Sequence, residues 1–467
     1  MAGSQSGRPD AAAREAARLL DLHKRMREVE EAILARAPEH DLEPSLDRIQ
    51  AVMELLGDPQ RTYPAIHITG TNGKTSTARI IEAILREMGL KTGRFTSPHL
   101  HTIRERISIG GESISEEAFL AAYDEVIPFI EMIDARSAQT GAPRMTYFEV
   151  VVAVAYAAFA DSPVDVAIVE VGMGGAWDAT NVIDADVSVL TPIDVDHIHF
   201  LGTTPEQIAS EKVGIIKPSA VTVSAVQPHE DVWEIIRARC GEVDARLVTE
   251  GLDFGILTRE IAVGGQLISM RGLAGEYDDL LLALHGQHQA HNAAVAVAAV
   301  EAFLGGGSQP VDREVLLAAL ASVQSPGRLE IVRRSPTVIV DAAHNAHGMT
   351  ALSEALSDSF SFTRLVGVVA IFKDKDAAQM LEILEPALDH VVVTRTSSPR
   401  ATPPDQLGEI ASDIFGEHRV TVVRDLPDAL DRAAELADEG GLGGAVLATG
   451  SVFTAAEVRA LLGVTDV

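Results

Sequence analysis

One short segment near residue 70 constrains the fold more than any other feature of the chain. An apolar stretch at residues 66–69 runs into a glycine-rich turn at residues 70–74, and a helical pattern follows to about Met88, where Gly89 would end the helix. A buried strand, a tight turn and a helix in direct succession are typical of the first unit of a parallel α/β sheet. The segment therefore predicts this class of fold.

The turn has the composition of a phosphate-binding loop. Its residues are Gly70, Thr71, Asn72, Gly73, Lys74, Thr75 and Ser76. Gly70 and Gly73 let backbone N–H groups turn toward phosphate oxygens, at a helix N-terminus that carries partial positive charge. Lys74 would supply a mobile charge for the β- and γ-phosphates, and Thr75 or Ser76 a hydroxyl near Mg²⁺. The alternative is a glycine-rich turn with an ordinary surface lysine, because the glycines are two residues closer together than in the common Walker A pattern.

Strands and helices continue to alternate after the loop. Residues 166–171 and 187–190 are candidate buried strands, and residues 116–133 and 148–159 show helical patterns. This alternation predicts an α/β fold with a mostly parallel sheet, here a P-loop-type ATPase domain. A further helical pattern at residues 11–37 predicts a helical extension before the loop.

A second α/β unit is predicted in the C-terminal part of the chain. The turn-forming residues Ser325, Pro326 and Gly327 mark a boundary. We therefore expect residues 1–325 to form the ATP-binding domain with its helical N-terminal extension, and residues 326–467 to form a smaller Rossmann-like domain. Five apolar stretches are the expected strands of this second domain. They lie at residues 337–340, 365–371, 391–394, 420–423 and 445–448.

Composition argues against several classes of function. The formal net charge of −30 argues against a non-specific nucleic-acid binder, although a local positive cleft could still take an anionic small molecule. A single cysteine, Cys240, excludes an intrachain disulfide framework and suits a reducing cytosol. No stretch reaches the ~20 apolar residues of a membrane span, and the N-terminus lacks a signal-peptide pattern. We expect a cytoplasmic protein with no nucleic-acid or membrane partner.

Three polar positions outside the loop are candidates for a functional site. Glu170 ends a predicted strand, where open α/β sheets bind ligands, and its carboxylate could bind Mg²⁺ or cap a turn. His197, preceded by Asp196, follows the next predicted strand in the same way, but a lone histidine is more often structural. Lys212 lies in a predicted helix and, from its sequence context alone, is a surface lysine.

Ten short motifs occur in a characteristic order along the chain. They are Gly70-Thr71-Asn72-Gly73-Lys74, Thr96-Ser97-Pro98-His99-Leu100, Thr146-Tyr147-Phe148-Glu149, Glu170-Val171-Gly172-Met173-Gly174-Gly175, Asp196-His197 before Leu201-Gly202, Glu211-Lys212, His288-Gln289 before Asn292, Pro326-Gly327-Arg328, Asp341-Ala342-Ala343-His344-Asn345 and Asp374-Lys375-Asp376. Each is weak alone, but the ordered set is specific. Over residues 46–462 the chain resembles the Mur ligase superfamily and, within it, the folylpolyglutamate synthase/dihydrofolate synthase family.

This resemblance implies which residues bind the nucleotide and the metal. Lys74 and its loop would bind the phosphates of ATP. The other nucleotide contacts would be Asn292, Arg328 and Asp341, and the Mg²⁺ ligands would be Ser97, Glu170 and His197. Two Mg²⁺ ions are expected, and the resemblance allows a potassium ion as well.

The resemblance also implies groups that act on the substrates. Lys212 matches a lysine that family members carry as a carbamate, in which CO2 converts a cation into an anionic oxygen donor for a second Mg²⁺. His344, like Lys74 and Lys212 a candidate catalytic residue, would lie at the domain interface near the phosphate and the incoming glutamate. The expected substrate-binding residues are Ser97, Pro98, His99 and Phe148 for the acceptor and Ser451 for glutamate.

The phosphate loop departs from the folate-family pattern at one point. That family usually has Gly and then Ser after the loop lysine, whereas Thr75 and Ser76 follow Lys74, which is closer to the murein ligases. Two other features favour the folate family. Only about 65 residues precede the loop, too few for the UDP-sugar domain of a murein ligase. The segment from Ser97 to Leu100 is also similar to the folate-family loop near the pterin site.

The resemblance implies an ATP-dependent carboxylate–amine ligase. It would phosphorylate the carboxylate of dihydropteroate or of a folate, and the α-amine of L-glutamate would then displace the phosphate while the closed domains exclude water. One ATP site and one glutamate site can serve both acceptors, so we expect both reactions, catalysed by a monomer. A murein-type amino-acid ligase and a P-loop ATPase switch without ligation are the alternatives.

Overall fold

The glycine-rich loop follows the third strand from one end of a group of six parallel strands. The structure is a computed structural model that describes residues 11–37, 45–439, 441 and 443–464. The strands of its largest sheet pair in the order β4-β3-β2-β5-β1-β6-β7-β8, and those from β2 to β8 in this order are parallel, whereas β3 and β4 are antiparallel. In chain order they are β1 (Ala65–Thr69), β2 (Thr92–Phe95), β3 (Ile107–Ile109), β4 (Glu112–Ser113), β5 (Val166–Glu170), β6 (Val187–Leu190), β7 (Val221–Ser224) and β8 (Arg246–Thr249).

Helices cover both faces of this sheet. Along β5, Ala167 and Val169 pack into one apolar cluster, and Val166 and Ile168 pack into another, because successive side chains of a strand point to opposite faces. The helices of the first unit are α1 (Ala11–Leu34), α2 (Asp47–Leu55), α3 (Lys74–Glu87), α4 (Glu116–Thr140), α5 (Tyr147–Asp161), α6 (Ile198–Leu201), α7 (Pro205–Lys212), α8 (Glu230–Glu242), α9 (Gln287–Gly305) and α10 (Arg313–Ser322). Residues of α1, α2, α4 and α5 belong to the first cluster, and residues of α3, α9 and α10 belong to the second.

The N-terminal helical extension is confirmed, with one difference at its end. Helix α1 ends at Leu34 rather than at residue 37. Met26, Val29 and Ile33, which share one face at helical spacing, are buried against the first cluster, whereas Leu19 is exposed. The helix therefore adds its apolar face to the core of the large sheet.

A three-stranded antiparallel sheet was not predicted from the sequence. It consists of β9 (Gly255–Ala262), β10 (Gly265–Arg271) and β11 (Glu276–Leu282), in the order β11-β10-β9. Apolar residues of β10 and β11 join the cluster around α3 and α9, so this sheet closes one side of that core. Val263 and Gly264 at the β9–β10 turn were the available hairpin signal.

The C-terminal part of the chain forms the expected second α/β sheet. Its order is β12-β13-β17-β14-β15-β16, and all pairs except β12–β13 are parallel. The strands are β12 (Glu330–Arg334), β13 (Thr337–Val340), β14 (Arg364–Val369), β15 (His390–Val393), β16 (Val420–Val422) and β17 (Gly444–Thr449). The helices are α11 (Ala346–Ser359), α12 (Ala377–Leu384), α13 (Pro404–Phe415), α14 (Leu426–Asp438) and α15 (Val452–Leu461).

All five predicted strands of this second sheet are present, and β12 was missed. It ends in Arg333 and Arg334 and pairs antiparallel at the sheet edge, so it lacks the apolar run of a buried parallel strand. The predicted fold class, a parallel-sheet domain with a smaller Rossmann-like domain, is thus confirmed. The boundary after residue 325 remains our proposal. In the described ranges, no helix is long and apolar enough to cross a membrane.

Candidate functional site

A cavity of about 830 Å³ lies where the two α/β units face each other. On one side the carboxyl ends of β1, β5 and β6 meet, which is the position where open parallel sheets bind ligands. Most of the predicted site residues line this cavity: Gly70, Thr71, Asn72, Gly73, Lys74, Thr75, Ser76, Ser97, Pro98, Glu170, His197, Lys212, Asn292, Arg328, Asp341 and His344. The structure therefore brings together residues that lie between positions 70 and 344 of the chain.

Glycine is required at both predicted glycine positions of the loop. Gly70 has φ +144° and Gly73 has φ +90°, which L side chains rarely adopt. A Cβ at Gly70 would lie 1.9 Å from Oγ1 of Thr191, and one at Gly73 would lie 2.6 Å from Oδ1 of Asn292. The loop is consequently packed against the end of β6 on one side and against α9 on the other.

Two lysines, Lys212 which is buried and Lys74 which is half-buried, donate hydrogen bonds to the same backbone carbonyl. The Nζ atom of Lys74 lies 3.0 Å from the oxygen of Gly70, and the Nζ atom of Lys212 lies 2.9 Å from it. Burial lowers the pKa of Lys74, although the charge of Glu170 opposes this effect. Burial and the charge of Lys74 lower the pKa of Lys212 to about 7. Lys212 is only 4% exposed. The expectation from sequence context alone, that Lys212 is a surface lysine, is therefore wrong.

Oxygen donors converge at the end of β5. The hydroxyl of Thr75 donates to Glu170 at 2.9 and 3.0 Å, and the backbone N–H of Ser97 donates to the same carboxylate at 3.3 Å. Burial raises the pKa of Glu170, and Lys74 opposes this effect. The hydroxyl of Ser76 instead lies 3.0 Å from that of Ser325, in the core under the loop. Of the two hydroxyls proposed for the metal, only that of Thr75 contacts the Glu170 carboxylate.

The donors near Glu170 have the chemistry that Mg²⁺ prefers. A carboxylate and two hydroxyls, those of Glu170, Thr75 and Ser97, are hard oxygen donors. His197 lines the same cavity, and burial lowers its pKa to about 3, which keeps the imidazole neutral as a metal ligand requires. Within the described residues, no three His, Cys, Asp or Glu side chains cluster closely enough to hold a metal. Mg²⁺ here would therefore depend on hydroxyl and phosphate oxygens as well.

Asp196 is one of the residues through which the first unit contacts the second. It is 8% exposed, and it accepts a hydrogen bond from Nδ2 of Asn345 at 2.9 Å and forms an ion pair with Lys375. The Nε2 atom of His344 lies 3.4 Å from the same carboxylate. Burial opposes the ionisation of Asp196, but the hydrogen bond with His344 and the nearby positive charges outweigh burial and hold its pKa far below the usual range.

A second contact joins the phosphate loop itself to the other unit. The Nδ2 atom of Asn72 lies 3.1 Å from Oδ1 of Asn345 and 2.8 Å from Nδ1 of His347. Asn345 also caps α11, because its Oδ1 accepts from the N–H of Gly348 at 2.8 Å. Sequence reasoning quoted Asn345 and Lys375 within motifs but assigned them no role. Their regular positions after the ends of β13 and β14 were the signal that could have identified them.

The predicted nucleotide contacts beyond the loop lie on both sides of the cavity. Asn292 projects from α9 onto Gly73, and its Nδ2 donates to Gln289 at 3.1 Å. Asp341 accepts backbone N–H bonds from Leu329 and Ala343, both at 2.8 Å. Burial raises the pKa of Asp341, although the nearby positive charge of Arg328 opposes this effect. These side chains thus surround the space next to the loop.

Three predicted substrate-binding residues do not line the large cavity. His99 lies in a smaller adjoining crevice, where its Nδ1 accepts from Arg106 at 2.9 Å. Phe148 is 3% exposed and packs against Phe95, with ring centroids 5.8 Å apart. Ser451 is 1% exposed and caps α15 by accepting from the N–H of Thr454 at 3.0 Å. Their substrate-binding roles remain predictions.

The motif around Phe148 has a structural role in the described structure. Thr146 and Glu149 form a capping box at the start of α5, with bonds of 3.1 Å and 2.6 Å between side chains and backbone N–H groups. Glu149 also forms an ion pair with Arg48 of α2 at 3.0 Å. These contacts fix α5 beneath Gly172, where a Cβ would lie 2.4 Å from the ring of Phe148.

Comparisons with known proteins agree with this arrangement. The Mur ligase middle domain matches residues 68–300, and the Mur ligase glutamate ligase domain matches residues 327–452. The dihydrofolate synthase/folylpolyglutamate synthase of Mycobacterium tuberculosis is 48% identical over 456 residues, covering 93% of each chain. The structure of Mycobacterium tuberculosis folylpolyglutamate synthase complexed with ADP is similar with a TM-score of 0.91 and 46% identity, over 96% of this chain and 100% of that one. The Escherichia coli protein FolC, solved in complex with DHPP and ADP, has a TM-score of 0.81 and 29% identity, over 94% and 97% of the chains.

The fold and the cavity define an ATP-dependent carboxylate–amine ligase of the Mur type. Within that class, the chain belongs to the dihydrofolate synthase/folylpolyglutamate synthase family. The predicted family and class of enzyme are therefore confirmed.

Proposed function

We propose that the protein joins L-glutamate to the carboxylate of dihydropteroate and to the glutamyl carboxylate of reduced folates, with conversion of ATP to ADP and phosphate. One observation carries this proposal: Lys74 and Glu170 at the strand ends of the first unit face His344 of the second unit across a single cavity. A phosphoryl-transfer centre thus lies next to a unit that can deliver a second substrate. Family membership supports glutamate as that substrate.

The reaction begins with activation of the acceptor carboxylate. A carboxylate is a poor electrophile, so the γ-phosphoryl group of ATP is transferred to it and an acyl phosphate with a good leaving group forms. Among the described residues, the Nζ atom of Lys74 bonds to two loop carbonyls, at 3.0 and 3.1 Å, so it can turn toward the phosphates and neutralise charge during transfer. The amine of glutamate then attacks the acyl carbon, and phosphate leaves.

The metal proposal assigns Mg²⁺ to Ser97, Glu170 and His197, with a contribution from Thr75. A Mg²⁺ ion held by these residues would supply positive charge that stabilises the negative charge developing during phosphoryl transfer. The buried carboxylate of Glu170 already accepts two kinds of hydrogen bond there, from a hydroxyl and from a backbone N–H. We expect ligation to require Mg²⁺ or Mn²⁺ and to stop in excess chelator. Replacing K⁺ by Na⁺ at constant Mg²⁺ tests the proposed potassium ion separately.

Carbamylation of Lys212 is part of the proposal. Its amine is buried, and its pKa of about 7 leaves a large neutral fraction at physiological pH, which is the form that attacks CO2. The carbamate carries negative charge beside the ammonium of Lys74, so carbamylation replaces a repulsion between two neighbouring amino groups with an attraction between opposite charges. The carbamate oxygens could then hold the second Mg²⁺.

His344 is proposed to orient groups at the reacting centre. Its Nδ1 lies 2.9 Å from the carbonyl oxygen of Ala342, and its Nε2 lies 3.4 Å from the carboxylate of Asp196, so both ring nitrogens have an oxygen neighbour. The ring therefore has a defined orientation on the side of the cavity from which glutamate would arrive.

One assay tests the proposed function. Purified protein receives ATP, Mg²⁺ and glutamate with dihydropteroate, with tetrahydrofolate, or with a UDP-muramyl acceptor, and ADP and the ligated product are measured. We expect product with the first two acceptors and ADP release that requires both glutamate and acceptor. Product from only one of them would reduce the proposal to a single activity. Product from the UDP-muramyl acceptor alone would favour a murein-type ligase, and acceptor-independent ADP release would favour an ATPase switch.

We further propose that the enzyme acts as a cytoplasmic monomer. Both sides of the cavity come from one chain, so no partner chain is needed to complete it. The single cysteine, Cys240, is buried and free in the described structure, which suits a reducing compartment. Light scattering at the concentration used for the assay should give the mass of one chain, 49.6 kDa.

A further inference from the structure

A second, small crevice lies beside the large cavity and holds an arginine to which the reaction above gives no role. The crevice measures about 30 Å³ and shares Thr75, Pro98, Arg328 and Ala342 with the large cavity. Arg79 and His99 also line it. Because the two spaces share walls, a substrate held at the phosphate loop can extend a short polar group into the crevice.

Arg79 lies on the same helix as the phosphate loop, one turn beyond Thr75. Residues four apart on a helix share a face, so Arg79 points to the side on which Thr75 contacts Glu170. In the described part of the chain, the guanidinium of Arg79 makes neither a hydrogen bond nor an ion pair. A partly buried arginine with no partner is unusual, because its charge has lost much of its hydration.

Three carboxylates act on Arg79 through their charge, and all three already accept hydrogen bonds from other groups. Glu82 pairs with Arg94 at 2.6 Å and accepts from the hydroxyl of Ser108 at 2.9 Å. Glu105 accepts three backbone N–H bonds of 2.7–2.8 Å from residues 100–102. Glu170 accepts from the hydroxyl of Thr75 and from the backbone N–H of Ser97. Among the described contacts, none of the three pairs directly with Arg79.

The charged side chains that line the crevice have a net positive charge. Two are the arginines Arg79 and Arg328, and one is the carboxylate of Glu105, which already accepts three backbone N–H bonds. Burial and the adjacent Arg94 guanidinium lower the pKa of Arg79 to about 9, which reflects the cost of its uncompensated charge. An anion would offset this cost. A volume of about 30 Å³ admits a carboxylate group but not an aromatic ring.

We propose that Arg79 binds a free carboxylate of a glutamyl group, held at the edge of the reaction centre. The proposal rests on the function proposed above, and it adds a binding residue that the family motifs do not include. The phosphates of ATP belong to the loop at the start of α3, one turn before Arg79, so they are not the expected occupant. The planar guanidinium can hold a carboxylate with two parallel hydrogen bonds, which a lysine cannot reproduce.

The glutamyl carboxylate can come from either of two substrates. A folate acceptor keeps an α-carboxylate when its γ-carboxylate reacts, whereas dihydropteroate has one carboxylate and loses it in the reaction. The incoming glutamate keeps two carboxylates and takes part in both reactions. The two sources therefore differ in which Michaelis constant depends on Arg79.

Steady-state kinetics of Arg79→Gln and Arg79→Lys test this proposal. If the acceptor supplies the carboxylate, the KM for tetrahydrofolate rises by about 10-fold or more, and that for dihydropteroate changes by less than about 3-fold. If glutamate supplies it, the KM for glutamate rises by about 10-fold or more with both acceptors. Arg79→Lys should recover only a small part of either loss. Arg86→Gln is the matched control, because Arg86 is on the same helix and exposed.

Two readouts separate failure of this inference from other failures. Retained ADP binding and unchanged circular dichroism show that the variants are folded. Changes of less than about 3-fold in every KM, or a loss confined to kcat, would overturn the assignment of Arg79. If the wild-type protein uses neither acceptor, the proposed function fails, and the carboxylate site proposed on it is rejected as well.

Discussion

The two sides of the large cavity are built in different ways. On the first unit, Lys74 and Lys212 both bond to the carbonyl of Gly70, and Glu170 is held by Thr75. All these contacts lie within one unit. On the second unit, Asn345 and Lys375 instead bond to Asp196, which belongs to the first. One side is therefore complete in itself, whereas the other depends on how the two units meet.

This difference separates two kinds of contribution to catalysis. Charged groups that their own unit already positions can act on the transition state without further ordering, so their loss should lower kcat. Contacts between the units stabilise the closed form, so their loss should raise KM and lower kcat together. The predictions below test this division, from the largest expected effect to the smallest.

Lys74→Ala should have the largest effect and should leave the fold intact. In the part of the chain that the structure describes, the Nζ atom bonds to two carbonyls of its own loop, so removal of the side chain takes away charge rather than packing. We expect kcat/KM to fall by about 10³-fold or more, with an unfolding temperature close to that of the wild type. Lys91→Ala, which removes an exposed lysine beyond the same helix, is the control and should stay fully active. Near-normal turnover in folded Lys74→Ala would exclude the phosphate assignment.

Lys212→Ala should lower kcat by about 10²-fold, because it removes the proposed anionic oxygens. Formate or acetate should restore part of the activity by replacing those oxygens in the space left behind. Lys217→Ala is the matched control, since Lys217 is partly buried nearby but its Nζ bonds to the carbonyl of Asn181 at 2.9 Å. It should show no rescue. An active Lys212→Ala enzyme, or equal rescue of both variants, would contradict the carbamate proposal.

The same division explains how much the sequence could predict. The position of the phosphate loop on the first unit could be predicted, because the strand, the glycine turn, the lysine and the helix are contiguous in the sequence. Their local arrangement does not depend on how the rest of the sheet assembles. The burial of Lys212 could not be predicted from its local context. Nothing in the sequence of α7 indicates that this helix packs near the Gly70 carbonyl, which happens only when the sheet is assembled.

The interface between the units could not be read from local patterns. Asp196 and Lys375 are 179 positions apart, and nothing near either residue indicates the other. The polar strand β12 and the antiparallel sheet β9–β11 were missed for a related reason: strand pairing, rather than an apolar run, defines them. Likewise, only the folded structure shows that Arg79 has no hydrogen-bond or ion-pair partner among the described residues, because Glu82 and Glu105 bond to other groups.

Lys212→Met should stabilise the protein in a way that depends on pH. The unfolded chain keeps the Lys212 proton up to about pH 10.5, whereas the folded protein loses it near pH 7, so folding carries the full cost of a buried charge only below pH 7. In CO2-free buffer at pH 6 we expect the variant to have a free energy of unfolding higher by about 2 kcal/mol. The Gly70 carbonyl still accepts from Lys74, so no acceptor is left unpaired.

The pH dependence distinguishes this effect from better packing. Above pH 7 Lys212 is neutral in the folded protein but still protonated in the unfolded chain. The free energy of removing that proton falls as the pH rises toward 10.5, so the advantage of Lys212→Met should shrink toward zero. Chemical denaturation of both proteins at several pH values measures it. An advantage that is constant across pH would indicate packing, and a less stable variant at pH 6 would show that the buried ammonium is stabilised by its surroundings.

Lys375→Ala should give the smallest effect, and it tests the side that depends on closure. The substitution removes one partner of the Asp196 ion pair while Asn345 still bonds to the same carboxylate, so the closed form is weakened but not lost. We expect kcat/KM for glutamate to fall by about 10-fold, with a rise in KM contributing to the loss. Lys373→Ala, two residues away at an exposed position where Nζ contacts the carbonyl of Pro399, should change neither constant by more than about 2-fold. A loss confined to kcat would instead show that Lys375 acts like Lys74 and Lys212 of the first unit, and the distinction between the two sides of the cavity would then not hold.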